Sequence, residues 1–111
     1  MRISLIVTTY NRPDALLLVL KSIKNQRVKP FEVIIADDGS DDLTKKVIDD
    51  FSLTTELNII HSFQEDDGFR VSESRNKAIS IANGEYIILV DGDMLLHSEF
   101  VNDHAENAQN G

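Results

Sequence analysis

The strongest constraint on how this chain can fold is an alternation of two patterns. Short runs of β-branched and other apolar residues are separated by stretches whose apolar residues recur every three or four positions. Ile3-Ser4-Leu5-Ile6-Val7-Thr8 reads as a buried strand. Pro13 suits the first turn of the helix that follows, to which Leu16, Val19, Leu20 and Ile23 give an apolar stripe. Phe31 to Ala36 is a second strand. Leu43, Val47, Ile48 and Phe51 mark a second helix, capped by Ser40 or Asp41. Leu57 to His61 is a shorter strand. Ser72 is placed to cap a third helix, and Asn83-Gly84 to stop it. Glu85 to Val90 is the last and most apolar strand, with a further helix expected from about Ser98. Such alternation builds βαβ units, hence an α/β fold: a Rossmann-like, mostly parallel sheet with helices on both faces. The near-continuous apolar strands agree, because parallel strands are covered on both sides. Strand order does not follow from the pattern.

The bulk properties bound the function. A length of 111 residues allows one domain, 1–111, around one core. No window approaches the roughly 18–20 apolar residues of a membrane helix, so no transmembrane segment is expected. The opening apolar run is too short for a signal peptide. Cysteine is absent, which removes disulfides and thiolate metal sites. The simplest compartment is the cytoplasm, including the inner surface of its membrane. A net charge of −8 argues against nucleic acid as a partner, since that binding rests on Lys and Arg neutralising phosphates. The same charge would oppose an anionic phosphate ligand unless carboxylates held a divalent cation between them.

Ligands of open parallel sheets bind at the carboxyl ends of the strands. Here those ends lead into Thr8-Thr9-Tyr10-Asn11, Asp37-Asp38-Gly39-Ser40 and Asp91-Gly92-Asp93. Alternate residues of an extended chain point the same way, so Asp91 and Asp93 can aim at one spot, and Gly92 lets a ligand approach the backbone. Two hard oxygen donors suit Mg²⁺ or Mn²⁺, although an Asp- and Gly-rich turn is the bland reading of the same residues. Adjacent Asp37 and Asp38 repel unless each finds a partner, and the donors of a base or ribose would serve Asp38. On a helix Arg75 falls on one stripe with Val71, Ala78 and Ala82, so it faces the sheet and needs an anion. That anion is either Asp37, Asp38 or Asp91 in an ion pair, or a diphosphate. The polar loop from Gln64 to Arg70 reads either as an ordinary solvated acidic loop or, since it leads directly to Arg75, as one of which a part borders the same edge. His61, His97 and His104 are not counted as metal ligands.

These residues carry a resemblance. Ile3 to Asn11, Val33 to Ser40, Ser74-Arg75-Asn76 and Gly84 to Asp93 resemble, in order and spacing, the four signature elements of family 2 glycosyltransferases. Gln64 to Ala78 and Asp91 to His104 are similar to bacterial chondroitin-polymerase-like and galactosyltransferase-like members. The resemblance implies a GT-A fold and a nucleotide-diphosphate sugar, commonly a UDP-sugar. It implies that Thr8 and Tyr10 line the nucleoside pocket, that Asp38 contacts the base and that Arg75 sits near the nucleotide or its diphosphate. Asp91, and especially Asp93, would serve the ribose, the metal and the diphosphate. Such enzymes are generally inverting and transfer the sugar to an acceptor, here a glycan. In the family the acceptor-binding part and the general base lie after the Asp-X-Asp, hence beyond residue 111. The chain is therefore expected to be the N-terminal, donor-binding half of the fold, truncated before the acceptor-binding part. It would bind donor weakly alone and self-associate through uncovered apolar surface. A nucleotidyltransferase is the competing enzyme, but no glycine follows the first strand to cradle a triphosphate. A non-catalytic nucleotide-binding or assembly module is the other alternative. A dehydrogenase fails for want of G-x-G-x-x-G.

Overall fold

The computed structural model describes residues 1–68 and 70–110. Phe69, in the polar loop, and Gly111 lie outside the described residues. The elements are β1 (Ile3–Thr9), α1 (Pro13–Lys24), β2 (Glu32–Asp37), α2 (Asp42–Ser52), β3 (Ile59–Phe63), α3 (Val71–Ile81), β4 (Tyr86–Asp91) and α4 (Phe100–Asn110). The strands form one sheet of order β3-β2-β1-β4, and every pairing is parallel. The chain winds outward from β1 to β3, then crosses back over the sheet to place β4 on the other side of β1. The order thus reverses at β1, and a crevice opens there between the carboxyl ends of β1 and β4.

The strand period of two divides the core. Leu5, Val7, Val33, Ile35, Ile88 and Val90 face α1, α2 and Val101 of α4, where Leu16, Val19, Leu20, Ile23, Ile48 and Phe51 are buried. Ile6, Ile34 and Ala36 face α3 through Ala78. α3 packs chiefly across β1, β2 and β3. On that face of the edge strand β4, Ile87 and Leu89 stay 37% and 47% exposed, and Leu95 is exposed beyond them. Among the described residues no helix is long and apolar enough to cross a membrane.

The apolar stripe of α1 is buried as its spacing predicts. Other boundaries differ. Asp41, not Ser40, caps α2, accepting the Leu43 N–H at 3.2 Å. The buried row of α2 is Thr44, Ile48 and Phe51, while Leu43, in the first turn, faces solvent. β3 begins at Ile59, two residues after Leu57, which packs on the core from the preceding loop. Ser72 does not cap α3: the helix starts one residue before it, with Arg70 at the N-cap and no side-chain cap. The deepest row of α3 is Ser74 and Ala78, so Val71, Arg75 and Ala82 flank it half-buried. α3 ends at Ile81, and Asn83-Gly84 form the turn into β4. There the Asn83 N–H donates to buried Glu32 at 2.6 Å and the Gly84 N–H to the Ser4 hydroxyl at 2.9 Å.

Candidate functional site

Strand alternation sends the adjacent Asp37 and Asp38 to opposite faces of the sheet. Asp37 turns toward α2. It is buried, its Oδ2 lies 2.8 Å from His61 Nε2, and its Oδ1 accepts the Ser40 N–H at 2.8 Å. Burial alone would push this carboxyl up, but the hydrogen bonds from His61 and Ser40 outweigh it and hold the group below the usual aspartate value. Asp38 turns toward α3 and is equally buried. Its Oδ1 accepts Gln64 Nε2 and its Oδ2 accepts the backbone N–H of Arg70, both at 2.7 Å. Each carboxylate thus has its own donors, which is how two aspartates stand side by side without repelling.

The β1 and β2 loops are tied together. The Asn11 N–H donates to Ser40 Oγ and the Asp41 N–H to Asn11 Oδ1, both at 2.8 Å. Asn11 adopts a left-handed backbone, φ 49°, which Asn tolerates better than most side chains. Tyr10, just before it, is therefore held at the surface, where its phenol donates to Asp66 Oδ2 at 2.8 Å. That bond to a carboxylate raises the pKa of the phenol.

A cleft of ≈ 180 Å³ lies at the crevice between β1 and β4, lined by Thr8, Thr9, Tyr10, Arg12, Val71, Gly92 and Asp93. Thr8 is in register with Asp91, so both sit on the α3 side. A side chain at Gly92 would run into the Thr8 carbonyl, so glycine is what allows the chain to turn so close to β1. The cleft gathers Thr8, Tyr10 and Asp93. Asp38, Arg75 and Asp91 are not among the residues that line it. A larger depression of ≈ 480 Å³ lies at the opposite strand ends, but its Lys24 and Lys29 donate to backbone carbonyls and no acidic pair converges there.

Asp91 and Asp93 are both exposed. Among the described residues no group of three or more His, Asp or Glu side chains converges as a metal cage. Two carboxylates fit the way Mg²⁺ and Mn²⁺ sit in nucleotide sites, where phosphate oxygens and water complete the shell. Arg75 carries an unsatisfied donor. Its Nε is buried without a hydrogen-bond partner, and among the described residues no carboxylate lies within 4.0 Å of it. The ion pairs open to it in the sequence are not formed. Asp37 points to the other face, Asp38 is held by Gln64 and the Arg70 N–H, and Asp91 stays in solvent. The pairings of four participants were not legible beforehand: His61, Gln64, Asp66 and the Arg70 backbone. For Gln64, Asp66 and Arg70 the one signal was that their loop leads into α3; His61 carried none.

Residues 4–111 match the family model for glycosyl transferase family 2. The chain belongs to glycosyl transferase family 2. A hyaluronan synthase of Pasteurella multocida is 40% identical over 93 residues, which are 83% of this chain and 9% of that protein. The TarS 1-349 structure of S. aureus in complex with UDP-GlcNAc superposes with a TM-score of 0.83 at 28% identity, covering 99% of this chain and 32% of that one. A mannosyltransferase of Pyrobaculum calidifontis in complex with GDP-Man and Mn²⁺ gives 0.70 at 27% identity, covering 85% and 28%. The chain therefore spans less than a tenth of the synthase and about a third of the TarS structure. The Rossmann-like GT-A architecture expected for the family is the one found, with its sheet wholly parallel.

Proposed function

We propose that this family 2 chain is a single donor-binding domain of a metal-dependent, inverting glycosyltransferase that uses a nucleotide-diphosphate sugar, foremost a UDP-sugar. The observation that carries the reading is the convergence of Thr8, Tyr10 and Asp93 on one cleft at the strand-order reversal. Thr8 and Tyr10 line the nucleoside pocket and Asp38 recognises the base. Asp91 takes the ribose or shares the metal, and Asp93 is the principal metal carboxylate. Arg75, with no carboxylate partner among the described residues, takes the nucleotide phosphates. A bound Mn²⁺ or Mg²⁺ would stabilise charge on the departing nucleoside diphosphate. The chain's own residues orient the donor and present its anomeric carbon to the acceptor. A glycan hydroxyl attacks there, deprotonated by a general base. The reading places the reaction in the cytoplasm or at the inner membrane surface. Exposed Ile87, Leu89 and Leu95 favour self-association.

The test is calorimetry of the protein with UDP, GDP and dTDP, each with and without Mn²⁺. Mn²⁺-dependent binding, strongest for UDP and weaker than micromolar for this chain alone, is expected. Equal binding with and without the ion would remove the metal from the reading, and no nucleotide binding would remove the donor.

A further inference from the structure

The acidic loop after β3 is built into the site rather than merely solvated. Gln64 is fixed first by the sheet, its backbone N–H donating to the Asp37 carbonyl at 3.1 Å. Its side-chain amide then bridges two acceptors, Asp38 Oδ1 at 2.7 Å and the Arg70 carbonyl at 3.2 Å. It therefore ties the end of β2 to the start of α3, the helix that carries Arg75. Asp66 is fixed by packing: its backbone lies where any side chain on Gly39 would have to go. From there its carboxylate holds the phenol of Tyr10, a ring that is 39% exposed.

We infer that Gln64 and Asp66 are positioning residues of the nucleoside pocket, Asp66 setting the Tyr10 ring as a stacking surface and Gln64 setting the Asp38 carboxylate. The inference rests on the donor reading above. A base stacks on an aromatic face at little cost only if the ring is already oriented, and a carboxylate selects a ring N–H only if its lone pairs are already aimed. Neither residue needs to touch the donor. The loop's acidity has a purpose under this arrangement, since a neutral side chain at Asp66 accepts less strongly from a phenol.

The test is an NMR titration with UDP and with pyrophosphate, both with Mn²⁺, on wild type and on Asp66→Ala, Asp66→Asn, Tyr10→Phe, the Asp66→Ala/Tyr10→Phe double variant and Gln64→Leu. Loss of one hydrogen bond should weaken UDP by about three- to ten-fold in Asp66→Ala and in Tyr10→Phe. The double variant should be no weaker than either single one, Asp66→Asn should recover only part of the loss, and pyrophosphate should bind as before. Gln64→Leu should show the same nucleoside-selective loss. Wild-type UDP affinity in Asp66→Ala, multiplying effects in the double variant, or equal losses for pyrophosphate would overturn the Asp66 role. Unchanged UDP affinity in Gln64→Leu would overturn the Gln64 role. Should Asp66→Ala fail to fold, Tyr10→Phe and Asp66→Asn still decide, because both keep the loop. Absence of UDP binding by wild type is a different result and overturns the donor reading itself.

Discussion

His61 of β3 holds the buried Asp37 of β2 across a 2.8 Å hydrogen bond, anchoring the Asp-Asp-Gly-Ser turn from beneath. Because the folded-state pKa of Asp37 is depressed, the unfolded chain takes up that proton first as pH falls. The stabilisation is complete above the ordinary aspartate value, about 3.9, and is lost as pH drops through the lower folded value. His61→Ala removes a donor to Asp37. It should cost about 1–3 kcal/mol at neutral pH and move the acid-unfolding midpoint to higher pH. Urea melts at pH 7 and an acid titration by circular dichroism check both, and an unmoved acid midpoint would count against the pairing.

Asp93 lines the cleft and is exposed, so its carboxylate is available to a ligand and contributes little to packing. Asp93→Ala should abolish Mn²⁺-dependent UDP binding while changing stability by no more than about 0.5 kcal/mol. Calorimetry and a thermal melt on the same sample test the two halves. Undiminished Mn²⁺-dependent binding would sink the metal assignment.

Among the described residues the buried Nε of Arg75 finds no partner, which is costly unless an anion arrives. Arg75→Ala should lower UDP affinity about ten-fold or more and leave uridine affinity nearly unchanged. Arg75→Lys should restore only part of the loss, because an ammonium lacks the two-pronged donor geometry. Equal losses for UDP and uridine would instead mean that Arg75 shapes the nucleoside pocket.

Gly39 has φ 94°, and its missing side chain makes room for the Asp66 backbone. Gly39→Ala meets both obstacles, left-handed strain and a collision with main chain that cannot rotate away. It should destabilise the protein by about 2 kcal/mol or more, readable as a fall in the denaturant midpoint. A melt indistinguishable from wild type would show that the loop can move off Gly39.

Much of the fold was legible because it is written in local periodicities. The row Leu16, Val19, Leu20, Ile23 declares the buried side of α1 with no knowledge of what covers it. The polar strand ends declare the functional edge, since the carboxyl end of a strand is known once the strand is known. The misreadings sit where a local rule had two solutions. Leu43 is more apolar than Thr44, yet the Asp41 cap sets the phase of α2 so that Thr44 turns inward. Ser72 is a good cap by composition, but the Arg70 N–H is bound to Asp38 and the helix starts before Ser72.

The sequence by itself determined the order of elements, the parallel class of the sheet and the chemistry available at its carboxyl edge. Only the tertiary structure decided which of those groups are paired. Asp37 and Asp38 are neighbours in sequence, but the β2–β3 register gives His61 to the first, and the loop after β3 brings Gln64 and the Arg70 N–H to the second. Among the described residues Arg75 meets no carboxylate, because Asp37 is turned away, Asp38 is held by Gln64 and the Arg70 N–H, and Asp91 is in solvent. Pairing depends on which strands are neighbours and in what register. That is set by the packing of the whole sheet, and no stretch of the chain contains it.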